Sequence, residues 1–174
     1  MGDLLRLRGH RNSTGFQCSL VKTYQAISSA SVDDLWRKVV DLADVSWHPL
    51  LTRTNVPSGL VVKPGLIYQA VTRFSPIPIQ IFVEGVRPRE VLSIRILAMP
   101  GIEERVTYKI ESTVCGTRIS YSVTLRGWLS PLVWILARPY AALVASKLAR
   151  AAEQAALQVV SGDRRTDRGS CFDF

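Results

Sequence analysis

Between Phe16 and Gly127 apolar and polar residues mostly alternate, and the alternation is cut into short runs by Ser, Pro and Gly. FQCSLVKTYQAI (Phe16 to Ile27) alternates in part and predicts a first strand, ended by Ser28, Ser29 and Ser31. The period then becomes helical. In VDDLWRKVVDLA, Leu35, Trp36, Val39, Val40 and Leu42 give one apolar face. Ser31 is placed to cap it, and Asp33 and Asp34 occupy the first turn, where the helix dipole favours negative charge. Pro49 pushes His48 out of the α region, so this helix is expected to end near DVSWHP.

Six further strands are expected: Thr52 to Val56, Gly65 to Phe74, Pro78 to Val86, Glu90 to Ala98, Ile102 to Glu111 and Thr117 to Gly127. Short turns at Pro64-Gly65, Arg87-Pro88-Arg89, Pro100-Gly101 and Cys115-Gly116 join several of them, which predicts an antiparallel meander. After Gly127 the period is helical again. Ser130 is expected to cap, Pro131 suits the first turn, and strong helix formers run from Leu132 to about Val160. Pro139 lies inside that run and predicts a kink. The division expected is a basic arm over residues 1–15, one domain over 16–160, and a polar, disordered tail over 161–174.

Alternation also assigns faces. Ile119, Tyr121, Val123 and Leu125 share one side of the last strand, and Arg118, Ser120, Ser122, Thr124 and Arg126 share the other. The corresponding dry sets are Val106, Tyr108 and Ile110 with Glu104; Leu92, Ile94 and Ile96; Ile79, Ile81 and Val83; and Leu66, Tyr68, Ala70 and Phe74. A sheet with one dry face needs a cover. The only element long enough is the last helix, through Leu132, Leu136, Tyr140, Leu143, Val144, Leu148 and Ala151. The class implied is α+β, a curved antiparallel sheet of six to seven strands wrapped around a long C-terminal helix.

Composition changes this picture little. Of 174 residues, 47% are apolar and 21% charged, enough for a core and a lined hollow. The region WLSPLVWILARPYAALVASK is broken by Arg138, Pro139 and Lys147, so a buried or surface-associating helix is expected rather than a spanning one. The net charge of +8 gathers partly at the ends, in Arg6, Arg8 and Arg11 and in Arg164, Arg165 and Arg168. Such arms either serve as solvated tails that aid solubility or contact the phosphates of an anionic membrane. They lack the interleaved aromatics of a nucleic-acid surface, so no nucleic-acid partner is expected. The first residues lack the apolar core of a secretion signal. With the unpaired spacing of Cys18, Cys115 and Cys171, this points to a reducing, cytoplasmic setting.

The segments AISSASVDDLWRKVVDLADVSWHP, KPGLIYQAV, VEGVRPREVLSIRI and CGTRISYSVTLRGWLSPL follow an order that resembles the START-like (helix-grip) superfamily, and within it the polyketide cyclase/dehydrase-like SRPBCC group. The resemblance implies an apolar cavity between sheet and helix. It implies either a carrier of a lipid or another hydrophobic small molecule, or a cofactor-independent cyclase or dehydratase. A filled core serving only as a protein-interaction module is the remaining alternative. No Cys/His cluster for an iron–sulfur centre is present, and neither a cofactor nor a metal site is expected.

Candidate ligand-lining residues are Trp47, His48, Tyr68, Ile81, Val83, Ile94, Glu104, Val106, Tyr108, Tyr121, Val123, Leu136, Tyr140 and Leu143. Glu104 stands out, because a carboxyl group on an apolar strand face has its pKa raised, as a general acid or base requires. At the strand's open end it would instead reach solvent or an arginine. His48 could move a proton, or simply pack in its Trp-His-Pro turn. The tyrosines, Tyr108 among them, could orient a ligand through single hydroxyls or serve as core aromatics. Catalytic candidates are therefore Glu104, His48 and Tyr108, should there be catalysis at all.

Overall fold

A computed structural model describes residues 19–99 and 101–166, with side chains described as far as 158 except at 98 and 99. The expected arm over 1–15 and the end of the expected tail, including Arg6, Arg8, His10, Arg11, Cys18, Arg168 and Cys171, lie outside the described residues.

Seven strands form one antiparallel sheet: β1 (Ser19–Ser28), β2 (Leu51–Thr54), β3 (Ile67–Thr72), β4 (Ile79–Arg87), β5 (Val91–Met99), β6 (Ile102–Thr113) and β7 (Gly116–Arg126). Their order is β1-β7-β6-β5-β4-β3-β2, a meander from β2 to β7 with β1 added beside β7. From β2 onward the strands lie within about two residues of the expected bounds, and the expected start of the first strand at Phe16 lies outside the described residues; Phe74 falls beyond β3 and is exposed rather than part of its dry set.

Helix α1 (Val32–Val40) buries Leu35 and Val39, and its Ser31 cap accepts from the Asp34 N–H at 3.1 Å. It stops before DVSWHP, well ahead of Pro49. Asp41 and Asp44 accept hydrogen bonds from the backbone N–H groups of Asp44 and Ser46, which competes with further helix.

Helix α2 (Ser130–Thr166) is continuous through Pro139 and past Ser161-Gly162, so the expected tail begins too early. One glycine costs only about 1 kcal/mol in a helix. Ser130 does not cap: its hydroxyl is buried and unpartnered, and the Leu129 carbonyl accepts the first bonds, from the N–H groups of Leu132 and Val133.

The expected inward face of α2 needs correction. Leu132, Leu136 and Leu143 are exposed; the buried positions are Trp134, Ala141, Val144, Ala145, Leu148, Ala149 and Ala152. At about 100° per residue, each step of four along a helix drifts about 40° around it. A row begun at Leu132 therefore winds to the opposite side by Leu148. The alanines bring α2 close to β1 and β7, against which it packs along with α1. Trp134 stacks on Tyr24, with ring centroids 6.5 Å apart. Glu153 ties the helix to the end of β1, accepting from the Ser28 hydroxyl at 2.9 Å and the Ser29 N–H at 2.8 Å.

The other sheet face is wet and charged. Arg95 and Arg105 stand opposite each other, and Glu84 lies 3.3 Å and 2.7 Å from them. The β7–α2 connection depends on Gly127 at φ +131°, where a Cβ would lie 2.1 Å from the Gly101 carbonyl oxygen.

Candidate functional site

Strand register sets the dry residues in transverse rows. Tyr68, Ile81, Ile96, Glu104 and Leu125 are paired successively across β3 to β7. The next row holds Val83, Ile94, Val106 and Val123. Beyond it come Leu92, Tyr108, Tyr121 and Tyr24. Tyr68, Ile81, Val83, Ile94, Val106, Tyr108, Tyr121 and Val123, all candidates from alternation, are buried on this one face.

Glu104 shares the face, between Ile96 and Leu125. It keeps some accessible surface while protein surrounds it, and no described residue forms a hydrogen bond or ion pair with it. Desolvation raises its pKa to about 7, because the charged form loses water without gaining a counter-ion. Near neutral pH the group can therefore give or take a proton.

Tyr108 and Tyr121 lie 5.2 Å apart between ring centroids. Burial raises the pKa of Tyr68, Tyr108 and Tyr121, and the Glu104 charge adds to the effect on the latter two. All three remain neutral hydroxyls. None is hydrogen-bonded to a described residue.

The loop between α1 and β2 brings Trp47 against Tyr108, 6.4 Å between centroids, with His48 5.2 Å from Trp47. The Trp47 indole N–H is buried without a partner. His48 is buried, and its Nδ1 accepts from the Leu50 and Leu51 N–H groups, both at 3.2 Å. Burial, with the Lys147 charge second, lowers its pKa to about 4. Nδ1 is thus the accepting nitrogen of a neutral ring, and through it His48 ties the loop to Leu50 and Leu51.

The helix candidates fare differently. Tyr140 is half-buried and meets Phe74 edge-on at 5.2 Å. Leu136 and Leu143 lie on the outward stripe of α2. Sequence reasoning missed Trp134, Tyr24 and the inward alanines. Alanine carries little hydropathy signal, and Tyr24 sits on an edge strand whose alternation is imperfect. Among the described residues no three His, Cys, Asp or Glu side chains converge as a metal site.

No family model matches the sequence, and no curated protein matches it. Solved structures do match in fold. The Staphylococcus aureus protein SA2116 aligns with a TM-score of 0.63 at 10% identity, over 82% of this chain and 98% of that one. Norcoclaurine synthase from Thalictrum flavum aligns at 0.58 and 16%, over 77% and 93%. DynU16, a protein of the dynemicin biosynthetic locus, aligns at 0.59 and 21%; the match covers 76% of this chain and 47% of DynU16. What these structures share with the chain is the helix-grip fold, a curved antiparallel sheet with a long C-terminal helix.

Proposed function

We propose that this helix-grip protein binds a mostly apolar small molecule or lipid between the sheet's dry face and α2, with the ligand's polar group against Glu104 and the tyrosine hydroxyls. One observation carries the reading: Glu104, Tyr68, Tyr108 and Tyr121 share an apolar face and have no hydrogen-bond partner among the described residues. Such a group costs roughly 1–3 kcal/mol once it is cut off from water without a partner. A ligand atom or bound water would offset that cost, while apolar burial would contribute about 25 cal/mol per Å². The free, exposed Cys115 fits the reducing, cytoplasmic setting of this reading.

Native mass spectrometry of the full chain is expected to show a co-purified apolar mass. Stripped protein is expected to bind 1-anilinonaphthalene-8-sulfonate saturably, and Val106→Trp, in the row next to Glu104, should weaken that binding. Absence of both a bound mass and saturable binding would instead favour a solid core used for protein interaction.

A second reading, a cofactor-independent cyclase or dehydratase, is favoured by the Glu104 pKa of about 7 beside neutral tyrosines. It requires Glu104→Gln to abolish turnover while ligand affinity stays nearly unchanged. A carrier has no turnover to lose.

A further inference from the structure

We infer that the end of the molecule where the β3–β4 connection, the β5–β6 turn and the β7–α2 connection meet is a docking face for an anionic lipid bilayer. Register puts these segments together: Ala70 pairs with Ile79, Met99 with Ile102, and Glu103 with Arg126. Direct contacts confirm it. Trp128 lies against Gly101, and Phe74 lies against Tyr140 on α2.

The face is apolar where it meets solvent. Trp128 is 72% exposed, Ile77 70% and Ile135 70%, and Phe74, Leu97, Leu132 and Leu136 are exposed beside them. On α2 the outward residues Leu132, Ile135, Leu136 and Leu143 fall within about 100° of arc, opposite the buried stripe of Ala141, Val144, Leu148 and Ala152. The helix is apolar on two opposite sides, and the sheet uses only one.

Charge selects the partner. Exposed Arg73, Arg126 and Arg138 rim the patch, and none is ion-paired to a described residue. The acid nearest in register, Glu103, pairs with Arg105 at 3.8 Å. A tryptophan and branched aliphatics inside an arginine rim match the interfacial layer of an anionic membrane, where rings and alkyl groups enter and guanidinium groups meet phosphates. By length and composition α2 could cross a membrane over Ser130–Gln158, but its inward stripe is committed to the sheet, so the contact is a surface one. This inference does not depend on whether the dry face holds a ligand.

The test is flotation of the full chain with phosphatidylcholine vesicles, with and without phosphatidylglycerol, at low and high salt. Binding is expected to anionic vesicles, weakened by salt because the charges are exposed. Ile135→Glu with Leu136→Glu should weaken binding roughly tenfold or more, with circular dichroism and the unfolding midpoint unchanged. Brominated lipid should quench tryptophan emission, and Trp128→Phe should remove most of that quenching. Failure to float with anionic vesicles, or flotation that survives the double substitution, overturns the inference. So does resistance to alkaline extraction, which means spanning. A dimer broken by the double substitution, without vesicle binding, assigns the face to a second copy and also overturns it.

Discussion

Glu104 stands directly opposite Leu125 across the β6–β7 ladder, a carboxyl group facing an aliphatic side chain on the dry side of the sheet. Its pKa of about 7 lies above the ordinary value of 4.5. Between those pH values the folded chain holds a proton that the unfolded chain has released, so stability falls as pH rises from 4.5 to about 7. The shift sets a ceiling of roughly 3 kcal/mol, lowered by the residual solvent access. Glu104→Gln is expected to be more stable than wild type by roughly 1–3 kcal/mol above neutrality and nearly equal to it at the acid end. Urea unfolding at the two pH values measures this; equal stabilities at alkaline pH would remove the desolvated carboxyl group from the account.

His48 acts in the opposite sense over an overlapping range. Its folded pKa of about 4 lies below the ordinary 6.5, so its contribution is present above 6.5 and lost as pH falls towards 4. The Glu104→Gln background isolates it. There, His48→Gln should flatten the acid-side loss and cost roughly 2 kcal/mol at neutral pH through the freed Leu50 and Leu51 N–H groups. An unchanged acid slope would show that another group titrates there.

Glu153 holds the end of β1 to α2 through Ser28 and Ser29. These bonds lower its pKa, so their contribution is lost as pH falls through the carboxylate range. Glu153→Ala is expected to cost about 1 kcal/mol, discounted for exposure, and to speed hydrogen exchange at Ser29. Unaltered exchange there would deny it the fastening role.

Two glycines separate conformational strain from collision. Gly59 has φ +80° with open space where a Cβ would go, so Gly59→Ala should cost about 1 kcal/mol. At Gly127 the added Cβ meets the Gly101 carbonyl oxygen, so Gly127→Ala should cost roughly 3 kcal/mol or more. Similar costs at both sites, measured by chemical denaturation, would mean the close approach of the two turns relaxes easily.

Much of the strand layer was legible before any coordinates. A period of two depends only on local backbone geometry, so Tyr68, Ile81, Val106 and Tyr121 were assigned to their face correctly, and Glu104 with them. The helix was not legible in the same way. Its two apolar stripes cannot be ranked by periodicity, and Leu136 and Leu143 were drawn inward although alanines occupy the contact. Ser130 matched a capping pattern, yet its hydroxyl is turned into the core.

The alternation and turn residues alone determined that this chain makes a one-sided sheet with a long helix to cover it. They also placed one carboxyl group on the wrong-looking face. Which side of α2 meets that sheet, and so which apolar side chains stay in water, was decided by tertiary packing. Close helix–sheet approach selects small residues, and hydrophobicity, which sums area without regard to fit, does not distinguish a buried alanine stripe from an exposed leucine one. The same holds for His48: only the fold brings the Leu50 and Leu51 amides onto its ring nitrogen.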